Sequence, residues 1–202
     1  SGNYTYSEHK TVQGAYITGS VYGGGLSADI KGNTQVNICA VKDDTDETKY
    51  NSVSYTGKAG VKILGSVYGG GDLGSIGTFT FGNAAYNGKN PGIAVSSGVY
   101  TGKATGITAN TGKCTVIIMG EAEIGPDGMQ MYHADNNGEI PADDKPDDKG
   151  HVFGASKGAL ASSSLDDHNI NVDHITYVDN TVVTIGGSAF VKGSVYGGSE
   201  NG

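Results

Sequence analysis

The residues that could bind a metal ion are concentrated in one acidic stretch, residues 120–149. Asp135, Asn137, Asp143 and Asp144 supply carboxylate and amide oxygens, the ligands that Ca²⁺ takes in proteins. Their spacing does not match the twelve-residue EF-hand loop. The stretch therefore predicts either a flexible acidic loop or a Ca²⁺ site, and Ca²⁺ is the only cofactor that the sequence suggests.

Histidine and aspartate, which a hydrolase or a metal site would need, come together once, near the start of the last quarter of the chain. The members of this group are Asp166, Asp167, His168, Asp173 and His174. They lie in polar sequence without a partner nucleophile, so we interpret them as a solvated loop between strands. We accordingly predict no catalytic residue and no enzymatic activity.

Two further patterns are typical of cofactor or redox sites, and we interpret both as structural. Residues 69–74 fit the G-x-G-x-x-G dinucleotide pattern, but no helix is predicted after them. Cys39 and Cys114 lie in predicted strands, either as small buried side chains or as a disulfide between stacked units. No C-x-x-C spacing or ligand cluster supports a metal or nucleophile role for them.

The charge balance excludes one class of partner. The net charge is −8, and all 13 basic residues are lysines. Arginine is the usual reader of phosphate groups, and its absence argues against nucleic-acid binding. No apolar run of about 18 residues exists that could span a membrane. Tryptophan is also absent, which weakens a sugar-stacking interpretation, although 12 tyrosines partly restore it.

The rest of the chain is organised around a glycine-rich heptapeptide that occurs four times. The copies start at residues 19, 65, 150 and 193, so the intervals between them are 46, 85 and 43 residues. Each copy centres on a valine followed by an aromatic residue. These structural repeat residues are Val21, Tyr22, Val67, Tyr68, Val152, Phe153, Val195 and Tyr196. Adjacent side chains of a strand point to opposite faces, so we predict valine inward and the aromatics stacked in a ladder.

The segments around these copies predict strands. Residues 34–38, 61–64, 114–119, 181–185 and 189–192 are rich in Val, Ile and Thr or alternate polar with apolar side chains. No window has helical apolar spacing free of glycine. A repeat of this length is the signature of stacked units. We predict an all-β fold, a parallel β-helix or β-solenoid of about four units of about 43 residues, with a β-sandwich as the alternative.

This architecture has irregular parts. We predict one solenoid domain over residues 1–202, with an insertion at 83–112 and the acidic excursion at 120–149. The long second interval is nearly twice the others, so we place a degenerate unit near residues 105–115. With about 20–22 residues per coil the chain would form about nine coils, a rod of about 40 Å at about 4.8 Å per coil.

The Val-Tyr-Gly-Gly-Gly units after short Thr/Val/Ile strands resemble the glycine-rich repeats of large secreted or surface proteins of Bacteroidetes-type bacteria. The resemblance covers the four copies and their preceding strands, about half of the chain. It implies a β-helical solenoid with an adhesin, stalk or fibre role, outside the cell or on the bacterial surface. It brings no catalytic residues.

These observations favour a structural or adhesive repeat protein whose partner is another copy of itself or adjacent repeats of a longer chain. No polar capping unit follows the last heptapeptide, so we expect either that the native protein continues beyond residue 202 or that copies dock end to end. Residues 4–12 would be the natural partner of that end. The alternatives are a Ca²⁺-dependent or carbohydrate-binding module of a large adhesin and, less favoured, an enzyme similar to the β-helical polysaccharide lyases.

Overall fold

The computed structural model describes residues 14–53, 60–82, 104–126, 149–166 and 169–200, together with residue 84 and two short strands at 95–96 and 99–100. The described residues form β-strands and turns, and no α-helix occurs among them. The predicted all-β class is therefore confirmed. The N-terminal segment at 4–12, for which we predict a partner role, lies outside the described residues.

The chain runs through the same series of strands repeatedly, and each run is called a pass. The first pass contains β1 (Tyr16–Ile17), β2 (Val21–Tyr22) and β3 (Thr34–Ile38), followed by the hairpin of β4 (Ala40–Lys42) and β5 (Tyr50–Ser52). The second contains β6 (Lys62–Ile63), β7 (Val67–Tyr68), β8 (Phe79–Phe81), β9 (Val95–Ser96), β10 (Val99–Tyr100), β11 (Ala104–Ile107) and β12 (Lys113–Ile118). The third contains β13 (Glu123–Ile124), β14 (Val152–Phe153), β15 (Ala159–Asp166), β16 (Asn169–His174) and β17 (Asn180–Ile185). The fourth contains β18 (Phe190–Val191) and β19 (Val195–Tyr196).

Corresponding strands of successive passes pair in parallel and form three sheets. Sheet S1 has the order β1-β6-β13-β18, sheet S2 has β2-β7-β14-β19, and sheet S3 has β3-β12-β17. In S2 equivalent residues of the heptapeptides lie side by side, as Val67 does with both Val21 and Val152. Between S2 and S3 the first three passes are also joined by two single parallel bridges, Ile30 with Ile76 and Ile76 with Val178.

This pairing corrects the repeat length that we predict from the intervals. Strand β7 pairs directly with β14, so the 85 residues between the second and third heptapeptides form one pass and not two. The degenerate unit near residues 105–115 is therefore wrong, and so is the count of about nine coils. Part of the extra length lies in an excursion that contains the antiparallel pairs β8–β11 and β9–β10. The rest lies in the sequence between β13 and β14.

One apolar cluster is built from residues of all three parallel sheets. Its fully buried members include Ile63 from S1, Val67 and Val152 from S2, and Val116 and Ile118 from S3. In β3 burial alternates along the strand, with Val36 and Ile38 inward. In β12 Ile117 is buried too, although its side chain faces the opposite side of the sheet from Val116 and Ile118, so the end of this strand is covered on both faces.

The bounds of the predicted strands and loops can be compared with those in the structure. Strand β3 has the predicted bounds, and the bounds of the other four predicted strands differ by one residue at one or both ends. The predicted insertion at 83–112 includes β9, β10 and β11. The first residues of the predicted acidic excursion contribute β13 to S1, so the excursion starts after Ile124. Glu123 of this strand accepts ion pairs from Lys62 at 3.4 Å and Lys192 at 2.5 Å across the sheet.

Candidate functional site

The four aromatic residues of the heptapeptides form one continuous stack along S2. Ring centroids are 4.7 Å apart for Tyr22 and Tyr68, 5.0 Å for Tyr68 and Phe153, and 4.9 Å for Phe153 and Tyr196. The planes of these neighbouring rings lie within 12° of parallel. Because the strands are parallel and in register, equal residues fall at equal heights and their rings stack face on.

In the two middle passes both faces of the heptapeptide strands are buried. Val67 and Val152 are fully inaccessible, and Tyr68 and Phe153 on the opposite face are 2% and 6% exposed. Burial raises the pKa of Tyr68, and its hydroxyl donates a hydrogen bond to the Glu200 carboxylate, which raises that pKa further. The stack is therefore part of the packed interior in the middle passes.

A column of glycines runs beside the aromatic stack, and the close approach of successive passes requires it. A Cβ atom at Gly23, Gly69 or Gly154 would lie closer than 3.0 Å to the carbonyl oxygen of the equivalent glycine in the next pass. Real Cβ atoms do not approach backbone oxygens that closely, so this column excludes side chains. The exception is Gly197 in the fourth pass, where the nearest atom to such a Cβ is Thr181 Oγ1 at 3.9 Å.

Backbone hydrogen bonds join the heptapeptides of successive passes in both directions, as in any parallel sheet. The N–H groups of Gly65 and Gly193 donate back to the carbonyls of Gly19 and Gly150 in the preceding pass, whereas two sets of N–H groups donate to carbonyls of the following pass. The valine donors Val21, Val67 and Val152 bond to the carbonyls of Ser66, His151 and Ser194, each at 2.9 Å. The glycine donors Gly23, Gly69 and Gly154 bond to the carbonyls of Tyr68, Phe153 and Tyr196 at 2.9–3.0 Å.

The fourth pass ends this series and leaves an edge that we call the S2 donor edge, residues 193–198. By the same rule the outward donors here are the N–H groups of Val195 and Gly197, and no described residue accepts from them. Val195 is 47% exposed and Tyr196 is 45% exposed, although their counterparts in the middle passes are buried. Phe190, Val182 and Ile185 of the same end are exposed as well.

The opposite end of S2 is the S2 acceptor edge, residues 19–24. Strand β2 pairs with β7 alone. The carbonyls of Ser20 and Tyr22 correspond to those of Ser66 and Tyr68 in the next pass, and among the described residues no N–H group donates to them. The two edges of S2 thus differ in which residues face outward, Val195 and Gly197 at one end and Ser20 and Tyr22 at the other, and each edge is named after the backbone groups of these residues.

A second feature is a cleft between the outer face of S3 and the β4–β5 hairpin. It has a volume of about 890 Å³. Its wall carries Gln35, Lys113 and Thr115 from the sheet and Tyr50 and Asn51 from the hairpin. Gln35 donates from Nε2 to the Tyr50 hydroxyl at 2.8 Å, which ties the hairpin to the sheet. This cleft could not be predicted from the sequence, because its wall combines hairpin and sheet residues that only the folding of the chain brings together.

The acidic turn at 43–47 closes the β4–β5 hairpin. The Asp43 carboxylate accepts from the hydroxyl and N–H of Thr45, the N–H of Asp46 and the side-chain amide of Asn51. These hydrogen bonds, with those from Thr45 and Asn51 the largest, hold the pKa of Asp43 well below its usual range. The turn is solvent-exposed but internally hydrogen-bonded.

The two cysteines are separate, buried and unpaired. Cys114 lies in β12 and is fully inaccessible, and burial raises the pKa of its thiol. Cys39 lies between β3 and β4 with a φ of 50°, and its sulfur accepts from the N–H of Val61 at 3.4 Å. The disulfide alternative is therefore wrong, and Cys39 lies at a bend outside the strands.

The predicted Ca²⁺ ligands Asp135, Asn137, Asp143 and Asp144 lie outside the described residues. Within the part of the chain that is described, no three His, Cys, Asp or Glu side chains come together as metal ligands would. Asp166 and the pair Asp173 and His174 lie in the antiparallel strands β15 and β16, which corrects the predicted loop.

Comparisons with known proteins do not assign this chain to a family. No protein-family model, curated protein or solved structure matches this chain. Over the described residues, none of the secondary structure is a helix of the length and apolarity needed to cross a lipid bilayer.

Proposed function

We propose that the chain forms a β-solenoid and serves as a structural or adhesive segment of a fibre or stalk outside the cell or on the bacterial surface. The observation that carries this proposal is the in-register stacking of four heptapeptides in S2. The first three passes visit S1, S2 and S3 in the same order and the fourth visits S1 and S2, which is the path that the coils of a solenoid would follow.

The interior is consistent with a structural role. Backbone ladders and the aromatic stack recur at the same positions in each pass, and the heptapeptide valines are fully buried in the two middle passes. Such an array is stabilised mainly by contacts between neighbouring units, so its length can grow without a change in local design. The exposed apolar side chains at the S2 donor edge are the residues that one more pass would cover.

Electron microscopy of the isolated chain in native buffer tests the proposal. End-to-end stacking predicts filaments, with an axial repeat of about 19 Å for four passes at about 4.8 Å each. Dispersed single particles at all concentrations would remove the fibre-forming role. They would leave the segment of a longer stalk, in which neighbouring repeats of the same polypeptide cover the edges.

The cleft beside S3 favours carbohydrate binding as a second candidate function. It combines an aromatic ring, Tyr50, with amide and hydroxyl groups and with Lys113, which no described acidic side chain pairs. Sugars bind through this mixture of ring stacking and hydrogen bonds. The test is a titration with hexasaccharides of glucose and of galacturonic acid, followed by tyrosine fluorescence. Binding that Tyr50→Ala abolishes supports this function, and no response to either hexasaccharide contradicts it.

A further inference from the structure

We propose that the S2 donor edge of one copy binds the S2 acceptor edge of a second copy, with Ser194–Gly197 beside Ser20–Gly23, so that S2 continues through the junction. This inference rests on the proposed function and specifies the partner, the register and the polarity of the contact. Both edges carry the same six residues, Gly-Ser-Val-Tyr-Gly-Gly, at 193–198 and at 19–24.

The backbone groups of the two edges are complementary in this register. The N–H groups of Val195 and Gly197 face the carbonyls of Ser20 and Tyr22, which repeats the bonding between every pair of passes within the chain. A side-chain bond repeats as well. Ser20 Oγ accepts from the N–H of Ser66 at 3.0 Å, and Ser66 Oγ accepts from the N–H of His151 at 3.1 Å. In the junction Ser194 Oγ accepts from the N–H of Ser20 in the next copy.

The side chains at the junction also continue columns that exist within the chain. Tyr196 stacks on Tyr22 of the next copy, as Tyr22 stacks on Tyr68 at 4.7 Å. Val195 passes from 47% exposed toward the full burial of Val67 and Val152. A stack that already places equal residues at equal heights needs no new geometry at the junction.

The contact has a direction, because it joins two different edges, β19 of one copy and β2 of the next. Such a heterologous contact does not close on itself in a straight stack, so it generates an open, polar filament and not a dimer.

The glycine column provides a substitution that separates folding from assembly. A Cβ at Gly197 meets nothing closer than 3.9 Å within the chain. In the junction this Cβ would meet the carbonyl oxygen of Gly23 in the next copy. The distance would be below 3.0 Å, as it is for a Cβ built at any of the three equivalent glycines within the chain. The control is Gly82→Ala, because Gly82 lies outside the three parallel sheets and a Cβ there would meet Thr105 Cγ2 at 3.6 Å, an ordinary van der Waals contact.

Assembly of full-length Gly197→Ala and Gly82→Ala is measured by sedimentation and electron microscopy, after their thermal unfolding in dilute solution has been compared with wild type. We expect both variants to unfold as wild type does. We expect Gly82→Ala to form filaments normally and Gly197→Ala to need at least about a tenfold higher concentration. If Gly197→Ala assembles at the wild-type concentration, the junction is wrong.

Cross-linking tests the register independently. Equivalent Cα atoms of adjacent strands lie about 4.8 Å apart, within the range that a disulfide spans. Chains with Ser194→Cys are mixed with chains with Ser20→Cys under mild oxidation, and Ser194→Cys with Thr48→Cys is the control. We expect a linked pair in the first mixture only, identified by mass spectrometry.

The outcomes separate this inference from the proposed function. Filaments without the linked pair would refute the register and leave the fibre role intact. No filaments and no linked pair at any concentration would refute both the junction and the self-assembling fibre. Linked dimers in Ser194→Cys alone would indicate an isologous contact and would overturn the proposed polarity.

Discussion

Replacement of Gly69 by alanine is the sharpest test of the glycine column. A Cβ at this position lies inside 3.0 Å of the Gly154 carbonyl oxygen and 3.0 Å from Val116 Cγ2. Gly154 belongs to the next pass and Val116 to the same pass as Gly69, and neither contact atom is the end of a long flexible chain. The methyl group must therefore push the second and third passes apart at a point where S2 and S3 both contribute buried residues.

The expected cost follows from the contacts that such a shift disturbs. Overpacking of a buried site costs about 1–3 kcal/mol. The hydrogen bond from the Gly69 N–H to the Phe153 carbonyl, 2.9 Å long, weakens as the strands separate, which costs about 1 kcal/mol more. We expect Gly69→Ala to lower the free energy of unfolding by about 2–4 kcal/mol, a large part of the stability of an ordinary domain.

The assay is urea denaturation followed by far-ultraviolet circular dichroism, since the chain has no tryptophan. The matched control is Gly197→Ala, the same column position in the fourth pass, measured below the concentration at which copies associate. Because its Cβ has room, we expect a change within about 1 kcal/mol, including a small gain from the stiffer unfolded chain. Equal midpoints for the two variants would refute the argument that pass-to-pass contact requires glycine.

Three other predictions follow from burial and titration. Val152→Ala empties a fully buried site and should cost about 2–3 kcal/mol in urea denaturation, whereas Val195→Ala at 47% exposure should cost less than about 1 kcal/mol; equal losses would contradict the inward placement of Val152. Ser156→Ala removes the acceptor of the buried Gly71 N–H and should cost about 1–3 kcal/mol, with Ser156→Thr as the check that a hydroxyl at this position restores part of it. Burial raises the pKa of Tyr177 to about 12, so the stability this group contributes should be complete below about pH 10 and fall as the pH rises to about 12. Thermal unfolding from pH 8 to 12 measures this, and an unchanged slope in Tyr177→Phe would contradict it.

The repeated part of the fold could be predicted because its determinants are local. A valine next to an aromatic residue, followed by glycines, specifies an extended strand and a close approach wherever it occurs. In strands such as β3 the alternation of polar and apolar residues can be read directly from the sequence, and the structure has this strand at the predicted position. The aromatic stack then requires only that equal residues lie side by side in parallel strands.

The length of each pass could not be read from the intervals, because an interval counts all residues and a ladder counts only those that pair. The hairpin β15–β16 and the pair β8–β11 add residues to a pass without adding a strand to any parallel sheet. Two short strands, β1 and β13, also lack a recognisable pattern, since a two-residue segment has no periodicity. The cleft beside S3 depends on where the β4–β5 hairpin folds back, which a long-range contact between Gln35 and Tyr50 decides.

The same local rule that made the repeat visible explains why the two edges of S2 match. A sequence that must pair with a copy of itself in the next pass carries donors, acceptors, an aromatic ring and a glycine at fixed heights. Nothing in that rule distinguishes a neighbour on the same chain from a neighbour on another chain. Natural sheets avoid unwanted pairing by placing charges, bulges or proline at their edges. The S2 donor edge has none of these within 193–198 and instead exposes Val195 and Tyr196, so the feature that stabilises the interior also favours continued stacking.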